Sequence, residues 1–188
     1  MDCPLTNGET LGLAELLTDL RVEAVDVNKQ FAEKIGINQS ASVTCVKPSG
    51  TVSQLVDAAS GIHARHSPYY IRTVRADIKD PLCKFMIDKG FPAEPCVMKP
   101  DHTMVFSFPI KSPENATCRS DMTALEQLEM WLTYQNYWCE HKPSVTITVK
   151  EDEWMDVGAW VWKHFDQVSG ISFLPHSDHS YRQAPYQD

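Results

Sequence analysis

From Thr10 to about Ile35 the chain permits helix almost throughout. Leu11, Leu13, Leu16, Leu17 and Leu20 recur in steps that place them on one apolar face. The pattern then tightens into a β-branched run at Val43–Val46, which predicts a short buried strand whose exit Pro48 stiffens. Tyr69 to Val74 is rich in strand formers. Asp80-Pro81 opens a predicted helix that runs to Lys89, with Gly90 in the usual stopping position. Thr103 to Ile110 alternates as a strand does, and Pro109 favours an end or an edge. The clearest helix is Met122–His141, where Leu125, Leu128, Trp131, Leu132 and Trp138 share a helical period. Pro143–Val149 reads as a strand, Trp154–Val168 as an amphipathic helix, and Gly170–Leu174 as a further strand. Strands that alternate with helices predict an α/β layer or barrel with largely parallel strands. No internal repeat or low-complexity linker interrupts the pattern.

Composition narrows the class without changing it. A chain of 188 residues, 43% hydrophobic, can bury a core, and one domain is the simplest count. Five tryptophans and 10% aromatic residues argue against disorder. The formal charge of −8 makes a duplex nucleic acid an unfavourable partner. No apolar run is long enough to cross a membrane, and no N-terminal signal pattern is present. Six scattered cysteines with no C-x-x-C pair lead to the expectation of reduced structural thiols in a cytoplasmic protein.

The candidate chemistry begins at "VTCVKPSGTVSQL", Val43 to Leu55, which reads as strand, tight loop and helix start. Ser49 suits a helix cap, and Gly50 removes a Cβ where a ligand could approach. A helix start presents unpartnered N–H groups and a partial positive charge, so the loop is either a plain cap or an anion site. It is not a Walker loop, because the G-x-x-x-x-G-K-[ST] spacing is missing. His63 and His66 flank Arg65, and His176 and His179 flank Ser177-Asp178. Each pair could be a metal half-site. Polar surroundings and the lack of further ligands at recognisable spacing favour loop histidines and no metal. Glu126, Glu129 and Glu151–Glu153 read as helix-start and surface carboxylates, with no acid/base role.

Laid end to end, "VTCVKPSGTVSQLVDAASGIHARHSPYYIRTVR", "PSVTITV" and "VSGISFLPHSDHSYRQAPYQ" closely resemble the adenosylcobalamin-dependent (class II) ribonucleotide reductases. The nearest type is the monomeric ribonucleoside-triphosphate reductase. The likeness covers roughly Leu20 to Asp188, with residues 1–19 a poorly matched helical lead-in. It implies that the whole chain, 1–188, is a single partial domain: the C-terminal segment of the family's ten-stranded α/β barrel. It further implies that Pro48, Ser49, Gly50, Thr51, Val52 and Ser53 hold the substrate phosphates, and that His63, His66, His176 and His179 lie on site-lining loops.

For the complete enzyme the resemblance implies adenosylcobalamin as cofactor and a ribonucleoside triphosphate as substrate. It also implies electrons from thioredoxin or another dithiol, and thiyl-radical removal of the ribose 2′-hydroxyl. The family's Asn-Pro-Cys-Gly-Glu motif, which carries the radical cysteine, does not occur here, nor does its C-terminal cysteine pair. The expectation is therefore a chain with no catalytic residue of its own. It would be inactive alone and would need the N-terminal part of a reductase, in cis or in trans. The alternative is a non-catalytic nucleotide- or anion-binding remnant.

Overall fold

The computed structural model describes residues 1–3, 6–8, 12–50, 52–176 and 182–187. Its contacts divide into two compact units. The first is Met1–Arg65 with Asn115–His176, and the second is His66–Glu114 with the described part of Ser177–Asp188.

The first unit is built around α4 (Ala124–Tyr137). Thr123 caps it: its Oγ1 accepts the Glu126 N–H, and Glu126 Oε2 accepts the Thr123 N–H at 2.7 Å. Ala124, Leu128, Trp131 and Tyr134 follow at helical spacing and are all buried. The Trp131 indole N–H donates to Pro143 O at 3.2 Å, so this large ring leaves no polar atom unpaired. Against this face packs β4 (Val145–Val149), whose Val145, Ile147 and Val149 point inward. The core is completed by Leu13 and Leu17 of α1 (Leu13–Ile35) and by Val157 and Trp160 of α5 (Trp154–Lys163). Helix α1 stops at Gly36, whose φ of 73° lets the last turn close on Ala32 and Glu33. Strand β5 (Ile171–Pro175) pairs parallel with β4, in register from Val145↔Ile171 to Val149↔Pro175.

The second unit is an antiparallel sheet of order β2-β3-β1-β6. Its long ladder joins β1 (Tyr69–Asp77) to β3 (Thr103–Lys111), with β2 (Ala93–Pro95) and β6 (Tyr186–Gln187) flanking it. Between β1 and β2 lies α3 (Pro81–Asp88), capped by Asp80 and followed by Gly90 at φ 77°. Pro109 sits inside the ladder opposite Ile71. The Ser107 N–H points away from β1, to Pro92 O, and residue 109 shares that orientation. The N–H that Pro109 lacks would therefore point beyond the end of β2, where no ladder bond is lost.

The mixed α/β class agrees with expectation, but two local expectations fail. Only β4 and β5 are parallel among the described strands, whereas Tyr69–Val74 and Thr103–Ile110 belong to an antiparallel pair. Periodicity fixes that a strand forms and which faces it buries, but not the direction of its neighbour. Val43–Val46 is extended yet joins no strand ladder. Its partners are a turn and side chains: Thr44 O accepts from Glu140 N and His141 N, Val46 O from Ser144 N, and Cys45 O from the Trp138 indole.

Candidate functional site

The Pro48–Ser53 loop follows that extended segment and leads into α2 (Val52–Leu55), a single turn. Ser49 does the capping from inside the loop. Its Oγ accepts the Ser53 N–H at 2.8 Å, and Ser53 Oγ donates back to Ser49 O at 3.0 Å. Ser60 closes the other side, its hydroxyl accepting the Ser49 N–H at 2.7 Å and donating to Ser49 O. The Ser53 hydroxyl is thus spent within the loop, where Ser53 is only 4% exposed, whereas the Ser49 hydroxyl accepts the Ser53 N–H and keeps its own proton to donate. Pro48, Gly50 and Val52 form the outward side. A Cβ placed on Gly50 would meet nothing within 4 Å. Thr51 lies outside the described residues.

The loop is backed by the turn Ser60–His63. Gly61 has φ +60°, and a Cβ there would lie 3.2 Å from Lys47 O, so this turn can close on the loop only as glycine. His63 Nδ1 lies 2.8 Å from Ser60 O, and its Nε2 accepts the Thr146 N–H at 3.0 Å. These partners assign the proton to Nδ1 and tie the turn to β4. Both ring nitrogens are occupied, so His63 positions the loop and is neither a ligand nor a base.

Arg65, passed over in the sequence as the residue between two histidines, anchors the arrangement. Its Nε and Nη2 clasp the Asp2 carboxylate, with a shortest distance of 2.7 Å, while Nη1 reaches Asp57 Oδ1 at 3.1 Å and Nη2 reaches Asp57 O. Asp2 also accepts the Ala59 N–H at 2.7 Å. Burial pushes the Asp2 carboxyl upward, but the guanidinium and the Ala59 N–H outweigh it and hold the group below its ordinary value. No local signal announces this network, because Asp2 is remote in sequence.

His66 belongs to the second unit, stacked on Tyr186 with ring centroids 5.5 Å apart and edge-on to Tyr70. His176 donates its backbone N–H to Val149 O at 2.7 Å, at the end of β5. His179 lies outside the described residues. Among the described residues no three of His, Cys, Asp and Glu form a group that could hold a metal ion, and no helix is long and apolar enough to cross a membrane. A cleft of the first unit, about 960 Å³, lies between α4 and residues such as Asn7, Leu13 and Thr117. Of its carboxylates, Glu126 serves the α4 cap, and Glu129 accepts the Trp160 indole N–H at 2.6 Å.

No known family profile matches the chain. It is 36% identical over 182 residues to the adenosylcobalamin-dependent ribonucleoside-triphosphate reductase of Euglena gracilis, covering 94% of this chain and 25% of that protein. It is 32% identical over 165 residues to the enzyme of the same name from Lactobacillus gasseri, covering 86% and 22%. A crystal structure of a B12-dependent (class II) ribonucleotide reductase superposes with a TM-score of 0.79 at 28% identity, over 93% of this chain and 25% of that one. The chain spans about a quarter of the length of the curated relatives it matches.

Proposed function

We propose that this chain, homologous to about a quarter of the adenosylcobalamin-dependent ribonucleoside-triphosphate reductases, is a segment of such an enzyme and supplies its substrate-phosphate loop. The observation that carries the reading is the Pro48–Ser53 loop itself. Its glycine elbow opens outward, while Ser49, Ser53, Ser60 and His63 hold the backbone behind it. A polyphosphate would approach Gly50 and could be met by the Gly50 and Val52 N–H groups and the Ser49 O–H, since the Ser49 and Ser53 N–H groups and the Ser53 hydroxyl already have partners. The contribution is positional: a fixed loop holds one end of the nucleotide so that its ribose lies where the rest of the enzyme acts.

Adenosylcobalamin, named in the relatives, would supply the radical initiation of the complete enzyme. Its cobalt is held by the cofactor's own corrin ring, so the lack of a bare-metal cluster among the described residues does not bear on it. The thiyl radical, the dithiol electron source and the triphosphate substrate belong to the same proposal for the whole enzyme.

The test is complementation. The pure chain, with adenosylcobalamin, a dithiol and ribonucleoside triphosphates, is expected to give no deoxyribonucleotide. Adding the remaining reductase polypeptide in trans is expected to restore reduction. Turnover by the chain alone would overturn the segment reading, and a folded but permanently inactive mixture would favour a non-catalytic nucleotide-binding remnant.

A further inference from the structure

All six cysteines are free thiols, and Cys45 and Cys139, far apart in sequence, lie close enough to interact electrostatically beside the entry to the loop. Thr44 Oγ1 donates to Trp138 O at 2.5 Å, Glu140 N–H donates to Thr44 O at 3.0 Å, and the Trp138 indole donates to Cys45 O at 3.1 Å. Cys139, between Trp138 and Glu140, is thereby held against the Thr44–Val46 backbone, where its Sγ accepts the Val46 N–H. Bonds from the residues on either side of Cys139 to Thr44 and Cys45 bring the two segments together, and a disulfide needs Cα atoms roughly 4.4–6.8 Å apart. Cys45 is exposed and Cys139 is buried.

We propose that Cys45 and Cys139 form a dithiol–disulfide site whose oxidising substrate is a small soluble disulfide. Exposure makes Cys45 the entry thiol. Its thiolate attacks one sulfur of the small disulfide, forming a mixed disulfide and expelling one small thiolate. Cys139 then loses its proton to solvent and attacks the Cys45 sulfur, expelling the second small thiolate. Two electrons pass from the protein thiols to the reagent, whose S–S bond is broken as the Cys45–Cys139 bond forms. The second step is the slow one. Burial pushes the Cys139 thiol up to about 11; the Val46 N–H and Lys47 oppose that rise, and Cys45 adds to it. From the helix side, Tyr134 also faces this thiol, while the neighbouring Glu140 carboxylate is turned to the Val43 and Thr44 N–H groups. Only the thiolate attacks, so ring closure accelerates about tenfold per pH unit below that value. The site lies just ahead of Pro48, and it stands whether or not that loop holds phosphate.

The experiment treats the full chain with oxidised glutathione at several pH values, quenches in acid, and maps the cysteines by non-reducing peptide mass spectrometry. The expected result is a Cys45 adduct that converts to a Cys45–Cys139 cross-link, faster by about tenfold per unit between about pH 7 and 9. Dithiothreitol should reverse it. Cys139→Ala should stop at the Cys45 adduct, and Cys45→Ser should give neither product. The wild-type map suffices if a variant misfolds. A Cys45 adduct that persists at high pH, or a cross-link from Cys45 to Cys3 instead, overturns the proposal.

Discussion

Arg65 and Gly50 show how differently two residues of one site can behave when changed. The Arg65 side chain is buried and holds Asp2 and Asp57 at once, so Arg65→Met should strand a carboxylate with its partner gone. Breaking a buried pair costs about 3–5 kcal/mol, and the solvent still reaching Asp2 places this one near 3. The Asp2 carboxyl lies below its ordinary value in the folded chain. Its stabilisation is therefore present above the unfolded-state value and is lost as pH falls through the folded one. Asp2→Asn should lower the urea midpoint at neutral pH and lower it much less in acid below the folded-state value, where the carboxyl is protonated. An equal loss at both pH values would sink the ion-pair account. Gly50 is the converse case, since a Cβ there meets nothing within 4 Å beyond its chain neighbours. Gly50→Val should leave stability within about 0.5 kcal/mol. In the reassembled enzyme it should raise KM for the triphosphate more than it lowers kcat, as loss of uniform binding does. An unchanged KM in a folded Gly50→Val protein returns the loop to a plain helix cap. The sequence made the loop readable through Pro48, Ser49 and Gly50, but it could not show that Ser49 and Ser53 would turn their hydroxyls to each other.

Among the elements, α4 was the most legible. Its apolar period and its Thr-x-x-Glu start at Thr123 are both local, and the observed helix uses both. Thr123→Ala removes the hydroxyl that accepts the Glu126 N–H and should cost about 1 kcal/mol. Urea unfolding followed by circular dichroism measures it, and a midpoint equal to wild type would show that the tertiary contacts of α4 make its cap redundant. What the local pattern did not contain is the second hold on the same helix end. Glu153, at the start of α5, accepts the Ala124 N–H at 3.0 Å and also the Lys150 N–H at 2.8 Å, joining the two helix starts through one carboxylate. Val43–Val46 illustrates the reverse error. Its β-branched residues favour an extended backbone, but a ladder needs a continuous partner, and the chain beside it is the turn after α4.

On the scale of the molecule, many large apolar side chains remain in water. Leu55 is 86% exposed, Met155 85% and Trp162 83%, and Phe31, Ile35 and Phe165 add to them. The β4–β5 pair is a sheet of two strands among those described, a size that rarely stands by itself. Unpaired strand edges and uncovered apolar surface favour association. The isolated chain should therefore self-associate in sedimentation velocity as its concentration rises, and the remaining reductase polypeptide should suppress this by covering the same surface. A monomer over a wide concentration range would count heavily against that expectation.

Sequence by itself determined the helices α1, α3, α4 and α5 and the strands β1, β3, β4 and β5, because periodicity, caps and turn residues act within a few positions of one another. It also carried the family likeness, through the order of long motifs. Only the tertiary structure decided strand direction and the partners of Val43–Val46. It separated the histidines too, spending His63 between Ser60 and Thr146 and stacking His66 on Tyr186 in the other unit. It alone brought Asp2 to Arg65 and Cys45 to Cys139. The physical reason is common to these cases: each is a pairing between distant segments, fixed by how the core closes, and no local preference specifies which polar group will meet which.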